Sequence, residues 1–154
     1  MGKRIIYETE DGGIAVVIPS PEFLIDHNIE DLIGRDVPEG SNHKIVADSL
    51  IPSDRRWRNA WVFDNGSIMA DSEKCRGISL DRIRQKRVEK FKETDSAYIK
   101  ALATGDQEKL IAIGNDQQKL RDATEPLKAW VPAAPRMSVK AIESVLAELE
   151  NLPI

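Results

Sequence analysis

The chain has 154 residues, of which 41% are hydrophobic and 31% are charged, and its formal net charge is −4. This length suits one ordinary domain, or a small domain with a helical appendage, and the composition is that of a globular protein. A weakly acidic chain lacks the electrostatic surface of a general nucleic-acid binder, and a single cysteine excludes an internal disulfide framework.

The N-terminal part of the sequence carries hairpin signals. Lys3–Glu8 and residues 14–18 are rich in Ile, Val and Tyr, and the Asp-Gly-Gly sequence at residues 11–13 supplies the positive φ of a tight turn. A Ser-Pro pair at residues 20–21 then predicts a short helix, with the serine as its cap. We expect an antiparallel hairpin followed by a helical insert.

Further strands are predicted up to residue 70. His43–Ala47 and residues 58–63 have the composition of short strands. Residues 64–67 read Asp-Asn-Gly-Ser, and Asn-Gly favours a type I′ turn, so residues 68–70 are the expected returning strand. Residues 1–70 are therefore predicted to be a small β-rich domain.

The character of the sequence changes at Asp71, which is a plausible N-cap for a helix that runs to about Thr104. Gly105 is predicted to end this helix and Asp106 to cap the next. The first helix has one narrow apolar stripe, at Phe91, Tyr98 and Leu102. The second has apolar or amide side chains at spacings of three and four, at Leu110, Ile113, Gln117, Leu120 and Leu127. Residues 71–130 are predicted to be an antiparallel helical hairpin with a narrow seam.

Residues 131–136 have the proline-rich composition of a linker, and Ser138 is the expected cap of a last amphipathic helix. Residues 131–154 therefore form a third predicted segment, a linker and a C-terminal helix. The overall prediction is an α+β fold, in which a small β-rich N-terminal unit with hairpins precedes a long helical hairpin and the C-terminal helix.

The sequence offers no assembled catalytic chemistry. His27 and His43 have no metal-ligand spacing to each other or to Cys75, which is expected to be an ordinary helix thiol unless the fold brings a histidine base to it. No glycine-rich phosphate-binding pattern and no serine nucleophile motif is present. We therefore predict a protein that is not an enzyme, with no catalytic residues, no cofactor and no metal.

The densest group of arginine and tryptophan lies in residues 54–61. If this segment were a strand, Trp57, Asn59 and Trp61 would share one face. The favoured interpretation is that both tryptophans cover a small core, with Asp54 pairing to an arginine. A protein-binding hot spot and a nucleic-acid contact remain open as alternatives.

This segment also belongs to a collinear set of short patterns. The set runs in order through Ile5-Ile6-Tyr7, Asp11-Gly12-Gly13, Val37-Pro38-Glu39-Gly40, Ile51 to Trp61, Asp81-Arg82-Ile83-Arg84, Tyr98 to Leu102, and Gln118 to Thr124. Over roughly residues 3–130 it resembles small tail-associated proteins of tailed bacteriophages and prophages, described as tail-fibre assembly or tail structural proteins. The resemblance implies a role in building or forming the host-recognition end of a tail, and it supplies no catalytic residues.

The resulting hypothesis is a phage tail component or tail-fibre assembly protein that acts through protein–protein contacts. Its expected partners are other tail proteins of the fibre or baseplate region, together with further copies of the chain, and the predicted contact residues are Phe91, Tyr98, Ile142, Leu146 and Leu149. No apolar window is long enough for a membrane span or a signal peptide, so host cytoplasm during assembly, and then the virion tail, is the expected location. The alternative is a nucleic-acid-associated accessory protein that uses residues 73–100, whose net charge is about +4.

Overall fold

The computed structural model describes residues 2–154 and has an α+β fold with two small antiparallel sheets. The chain divides into two compact units, and the division differs from the predicted segments. The first unit contains residues up to Cys75 together with Ala133–Ile142, and the second contains Arg76–Pro132 and Glu143–Ile154. The predicted third segment is thus shared between the two units.

The first sheet of the first unit has the strand order β2-β1-β3, with β1 at Lys3–Glu8, β2 at Ile14–Val17 and β3 at His43–Ala47. The predicted hairpin is confirmed, because β1 and β2 pair antiparallel and Gly12 has the positive φ of 80° that the turn requires. A short helix, α1 at Phe23–Asp26, follows, and the Ser20 hydroxyl accepts a hydrogen bond from the Phe23 amide.

The second sheet has the order β4-β5-β6, with β4 at Trp61–Asp64, β5 at Ser67–Asp71 and β6 at Arg136–Met137. The turn between β4 and β5 has positive φ at both central residues, 49° at Asn65 and 81° at Gly66, as the Asn-Gly pair predicts. Strand β6 was not predicted, since its two residues lie in the proline-rich linker. Its pairing with β5 places this part of the linker in the first unit.

The prediction of a strand over residues 58–63 was wrong at its start. Arg58–Ala60 form a turn of 3₁₀ helix, and the strand begins only at Trp61. Trp57 and Trp61 are nevertheless both 1% exposed, so they are core residues as expected. The predicted pairing of Asp54 is also confirmed, because its carboxylate accepts hydrogen bonds from the side chain of Arg56, the shortest at 2.6 Å.

Four further α-helices follow, with bounds α2 Ser72–Thr104, α3 Gln107–Asp122, α4 Glu125–Ala129 and α5 Val139–Leu149, and two more turns of 3₁₀ helix lie at Ile29–Leu32 and Asp48–Leu50. The predicted caps of α2, α3 and α5 are confirmed by hydrogen bonds. The Asp71 carboxylate accepts from the Lys74 amide, Asp106 accepts from the Lys109 amide, and the Ser138 hydroxyl accepts from the Ala141 amide.

The hairpin of α2 and α3 is confirmed, but α2 does not use its predicted stripe as the seam. The α2 side chains that are at least partly buried at regular spacings of three and four are Ile83, Arg87, Lys90, Thr94, Ala97 and Ala101. The corresponding row of α3 is Leu110, Ile113, Gln117 and Leu120, as predicted. The Gln117 amide donates to the Asp95 carboxylate at 2.7 Å, and the Arg87 guanidinium donates to the Leu120 carbonyl at 3.4 Å. The seam therefore joins a mainly apolar row on α3 to a row on α2 that, after Ile83, consists of small and polar side chains.

Polar side chains also hold the ends of the shorter helices within the second unit. Arg76 donates to the carbonyl oxygens of Leu127 and Lys128 at the end of α4, at 2.7 and 3.0 Å. Near the C-terminus, the buried carboxylate of Glu150 accepts from the Ser79 hydroxyl and from Arg82. These contacts satisfy carbonyl groups and a carboxylate that would otherwise be costly to bury.

Candidate partner-binding surfaces

A row of apolar side chains on α2 lies outside the seam, and we call it the α2 stripe. Its members are Val88, Phe91, Tyr98, Ile99 and Leu102. Positions three, four, seven and eleven apart share one side of a helix, so these residues are neighbours. Four of them are substantially exposed, at 50% for Val88, 39% for Tyr98, 67% for Ile99 and 60% for Leu102. The α2 stripe is therefore an apolar surface that the chain does not cover.

Two of the five predicted contact residues, Phe91 and Tyr98, thus lie in an accessible row. The three predicted on α5 do not form such a row. Ile142 and Leu146 are 0% exposed and Leu149 is partly buried, so the folded chain itself covers most of this apolar face. The amphipathic pattern of α5 is real, but it belongs to the protein's own core. Neither Ile142 nor Leu146 is available to a partner in the folded protein.

Most basic side chains of α2 are occupied by local contacts. Arg84, Lys90 and Lys92 each pair with a carboxylate three residues away. Arg76 and Arg87 donate to backbone carbonyl groups at the ends of other helices. The excess positive charge that the sequence shows in this region therefore does not form a continuous row of unpaired cations on one helix face.

A second candidate surface is an open cleft of about 1210 Å³ in the first unit, which we call the hairpin cleft. Its walls are residues 7–14, the turn at residues 38–42, and a corner formed by Arg58, Asn59 and Trp61. The walls differ in charge. The β1–β2 hairpin and the facing turn carry carboxylates, at Glu8, Glu10, Asp11 and Glu39. Arg58 is the basic residue of the lining.

Arg58 belongs to a small cluster around the Trp61 indole. The guanidinium carbons of Arg58 and Arg55 lie 4.7 and 5.4 Å from the centroid of the Trp61 ring, within the range of cation–π attraction. Partial burial, and then repulsion from Arg55, lower the pKa of Arg58 from its usual value. Two cations therefore share one aromatic ring at the edge of the cleft.

On the opposite wall, Asp11 is held in its ionised form. Its carboxylate accepts a hydrogen bond from the Thr9 hydroxyl and another from the Gly13 amide at 3.2 Å. The hydrogen bond from Thr9, followed by that from Gly13, lowers the pKa of Asp11. Asp11 thus keeps its negative charge at neutral pH.

Cys75, His27 and His43, the residues with possible nucleophilic or metal-binding chemistry, are not among the residues that line the hairpin cleft. Cys75 is buried, His27 stacks on Phe23 with ring centroids 4.5 Å apart, and His43 lies 3.0 Å from the Ser41 carbonyl through Nδ1. In residues 2–154, no group of three or more His, Cys, Asp or Glu side chains is placed to hold a metal ion.

Sequence reasoning missed the hairpin cleft and misassigned the seam. The cleft joins residues far apart in the chain, so no local pattern marks it. The seam was missed because its α2 side is built from small and polar residues such as Thr94, Ala97 and Ala101, which carry no apolar signature. The available signal was the i, i+7 spacing of Thr94 with Ala101.

No protein-family model, no curated protein and no solved structure matches this chain. Among residues 2–154, no helix combines the length and the apolar character needed to cross a membrane. The function of the protein is therefore inferred from the chemistry of its own surfaces.

Proposed function

We propose that this protein is a non-enzymatic component of a phage tail, or a factor in tail-fibre assembly, which acts by binding another tail protein through the α2 stripe. The observation that carries the proposal is that small residues form the seam side of α2 at Thr94, Ala97 and Ala101, whereas its apolar side chains at Tyr98, Ile99 and Leu102 stay exposed. Ala101 is 2% exposed and the adjacent Leu102 is 60% exposed. The α2 stripe therefore stays exposed to solvent after the hairpin has folded.

Exposed apolar side chains are ordinary when they are scattered, but a contiguous row on one helix is typical of an interaction site. A helix that presents anchors at spacings of three, four and seven suits docking into an apolar groove or against a second helix. Burying the stripe would remove its apolar area from water, at about 25 cal/mol per Å². The collinear resemblance to tail proteins suggests that the groove belongs to a fibre or baseplate protein.

Nucleic-acid binding through residues 73–100 is the less favoured alternative. A phosphate-binding helix needs cations that are available to the backbone, and contacts of this kind dominate affinity. Here Arg76 and Arg87 donate to carbonyl groups, and Arg84 pairs with Asp81. The apolar character of the α2 stripe also favours a protein partner.

The proposal is tested by quantitative mass spectrometry of tail particles purified from cultures that produce the protein. We compare the wild type with the double variant Ile99→Glu, Leu102→Glu. We expect wild-type protein to copurify with tail proteins, either in finished particles or in assembly intermediates. The double variant should fall at least about tenfold in these fractions, since two charges would be desolvated in the interface.

The matched control is Lys100→Glu, which makes the same change of −2 in net charge at an exposed position of α2 that does not share the side of the stripe. This control should copurify like the wild type. Equal recovery of the double variant and the control, or absence of the wild-type protein from every tail-protein fraction, would contradict the proposal. Binding to DNA that falls steeply with salt would support the nucleic-acid alternative instead.

A further inference from the structure

The arginine–tryptophan corner of the hairpin cleft has a charge that the chain does not neutralise. In residues 2–154, neither Arg55 nor Arg58 forms an ion pair with a carboxylate, although both lie against Trp61. The nearest acidic residue in sequence, Asp54, is engaged by Arg56 through hydrogen bonds of 2.6 to 3.1 Å. Two neighbouring guanidinium groups, one of them partly buried, are costly to hold together without an anion.

The same corner has an unused hydrogen-bond donor. Trp61 is 1% exposed, lines the cleft, and its indole Nε1 has no acceptor in the described part of the chain. Because this N–H is buried, a ligand in the cleft contacts the arginine rather than the indole nitrogen, and the indole N–H serves as a nearby reporter of binding. Guanidinium groups bind carboxylates in a planar, two-point arrangement, so an incoming carboxylate suits Arg58.

The carboxylates that line the cleft restrict the kind of anion that can bind there. Glu10, Asp11 and Glu39 line the same cleft, and the hydrogen bonds of Asp11 favour its charged form. A polyanion such as a nucleic-acid backbone would place further negative charges against these carboxylates, which is unfavourable. A ligand with one negative group and a positive group farther along would complement both walls.

We propose that the hairpin cleft binds a partner polypeptide by receiving one Asp or Glu carboxylate on Arg58, supported by the charge of Arg55 on the same indole, with a Lys or Arg of the same segment facing the acidic wall. This site is separate in residues and chemistry from the α2 stripe, and it does not depend on the proposed role in tails. It gives the protein a second binding surface. This surface recognises charged groups, whereas the α2 stripe recognises apolar side chains.

The test is an NMR titration of the full chain with the peptide acetyl-Gly-Glu-Gly-Gly-Lys-Gly-amide. The indole signals are assigned by Trp-to-Phe substitutions. We expect the Trp61 indole and the Arg58 side-chain signals to shift with saturation in the millimolar range. The same peptide with Gln in place of Glu should bind at least about tenfold more weakly, because it loses the charge-assisted contacts.

Protein variants locate the site. Arg58→Gln should weaken binding of the Glu peptide at least about tenfold. Arg55→Gln changes an exposed position, so it provides a second measurement of peptide affinity if Arg58→Gln folds poorly. The matched control is Arg35→Gln, since Arg35 also lies over an aromatic ring, Phe23 at 5.4 Å, but has Asp36 as an ion-pair partner. The control should bind like the wild type.

Three results would overturn the inference: no shift of Trp61 with the Glu peptide, equal binding of the Gln peptide, or unchanged affinity in both Arg55→Gln and Arg58→Gln. Inorganic phosphate and a short oligothymidine are titrated in parallel. Tighter binding of either than of the Glu peptide would also overturn it, and would point to a phosphate site. The α2 double variant Ile99→Glu, Leu102→Glu should bind the Glu peptide normally, so failure of this inference and failure of the tail proposal are separable.

Discussion

The two units of the protein both bury large apolar side chains, but the second also places small and polar side chains in its helical hairpin. The first buries Ile5, Ile6, Trp57 and Trp61, each no more than 1% exposed. The second buries Ile83 and Leu120 at 0% exposure, but the α2 side of its hairpin also uses Thr94 and Ala97. Because small residues occupy this part of the seam, nearby apolar residues of α2 remain on the surface, and this difference is the basis of the proposed function.

The energetic consequence is that the α2 side of the seam gains less from apolar burial around Thr94 and Ala97 than the core of the first unit gains around its tryptophans. An aromatic side chain buries 150–250 Å² as a rough range, far more than an alanine or threonine. Hydrogen bonds in the seam contribute only about 0.5–1.5 kcal/mol each on a net basis. Substitutions in the two units should therefore differ in size and in kind.

The largest effect is expected in the core of the first unit. Trp57→Ala should lower the free energy of unfolding by about 3–5 kcal/mol, because it removes a fully buried ring and leaves a cavity. Urea unfolding followed by far-ultraviolet circular dichroism measures the loss. A change below about 1 kcal/mol would mean that Trp57 does not anchor this core, and the contrast between the units would fail.

A neighbouring pair on α2 sharpens the contrast between seam and stripe. Ala101→Glu should destabilise the protein by about 2–3 kcal/mol, since it forces a charged side chain into a buried position. Leu102→Glu, one residue away, should change stability by no more than about 0.5 kcal/mol. Thermal and urea unfolding of the two variants in parallel provide the measurement, and equal effects would refute the assignment of the two faces.

A smaller loss is expected from Glu150→Gln in the second unit. The substitution keeps the shape of the side chain but removes the charge that accepts hydrogen bonds from Ser79 and Arg82, the latter at 3.4 Å. We expect a loss of about 1–2 kcal/mol in unfolding free energy, because a charge-assisted contact in a buried place becomes neutral. Unchanged stability would show that the C-terminal contacts add nothing to the helical unit.

The smallest effect concerns the acidic wall of the hairpin cleft. The folded protein holds the pKa of Asp11 below its unfolded value, so its stabilising contribution is present above the usual pKa of aspartate and is lost as pH falls through the lowered pKa. Thr9→Val removes the largest cause and should raise this pKa toward the usual value. An NMR titration of the Asp11 carboxyl carbon measures the pKa in the wild type and in Thr9→Val. An equal pKa in both proteins would rule out the Thr9 hydroxyl as the cause.

Local chemistry explains which parts of the fold could be predicted. The Asn65-Gly66 turn and the caps at Asp106 and Ser138 depend on residues adjacent in sequence, and each was predicted correctly. Strand β6 depends on pairing with β5, more than sixty residues earlier, and its two residues carry no strand pattern of their own.

The candidate surfaces were only partly predictable for a related reason. Periodicity shows that α5 has an apolar face, but it does not show what covers that face, and the chain covers Ile142 and Leu146 itself. On α2 the larger apolar residues were expected to form the seam, whereas Ala97 and Ala101 do so because small side chains let helices approach closely. Phe91 and Tyr98 remain in the predicted partner surface.

The most direct test of the central claim is site-specific photo-crosslinking in a lysate in which tails assemble. A benzophenone amino acid replaces Leu102 in one variant and Thr104 in another, since both positions are exposed and they lie on different faces of α2. The α2 stripe predicts a discrete adduct with a tail fibre or baseplate protein from position 102 and none from position 104. Adducts of equal yield from both positions, or no protein adduct from position 102, would contradict the account.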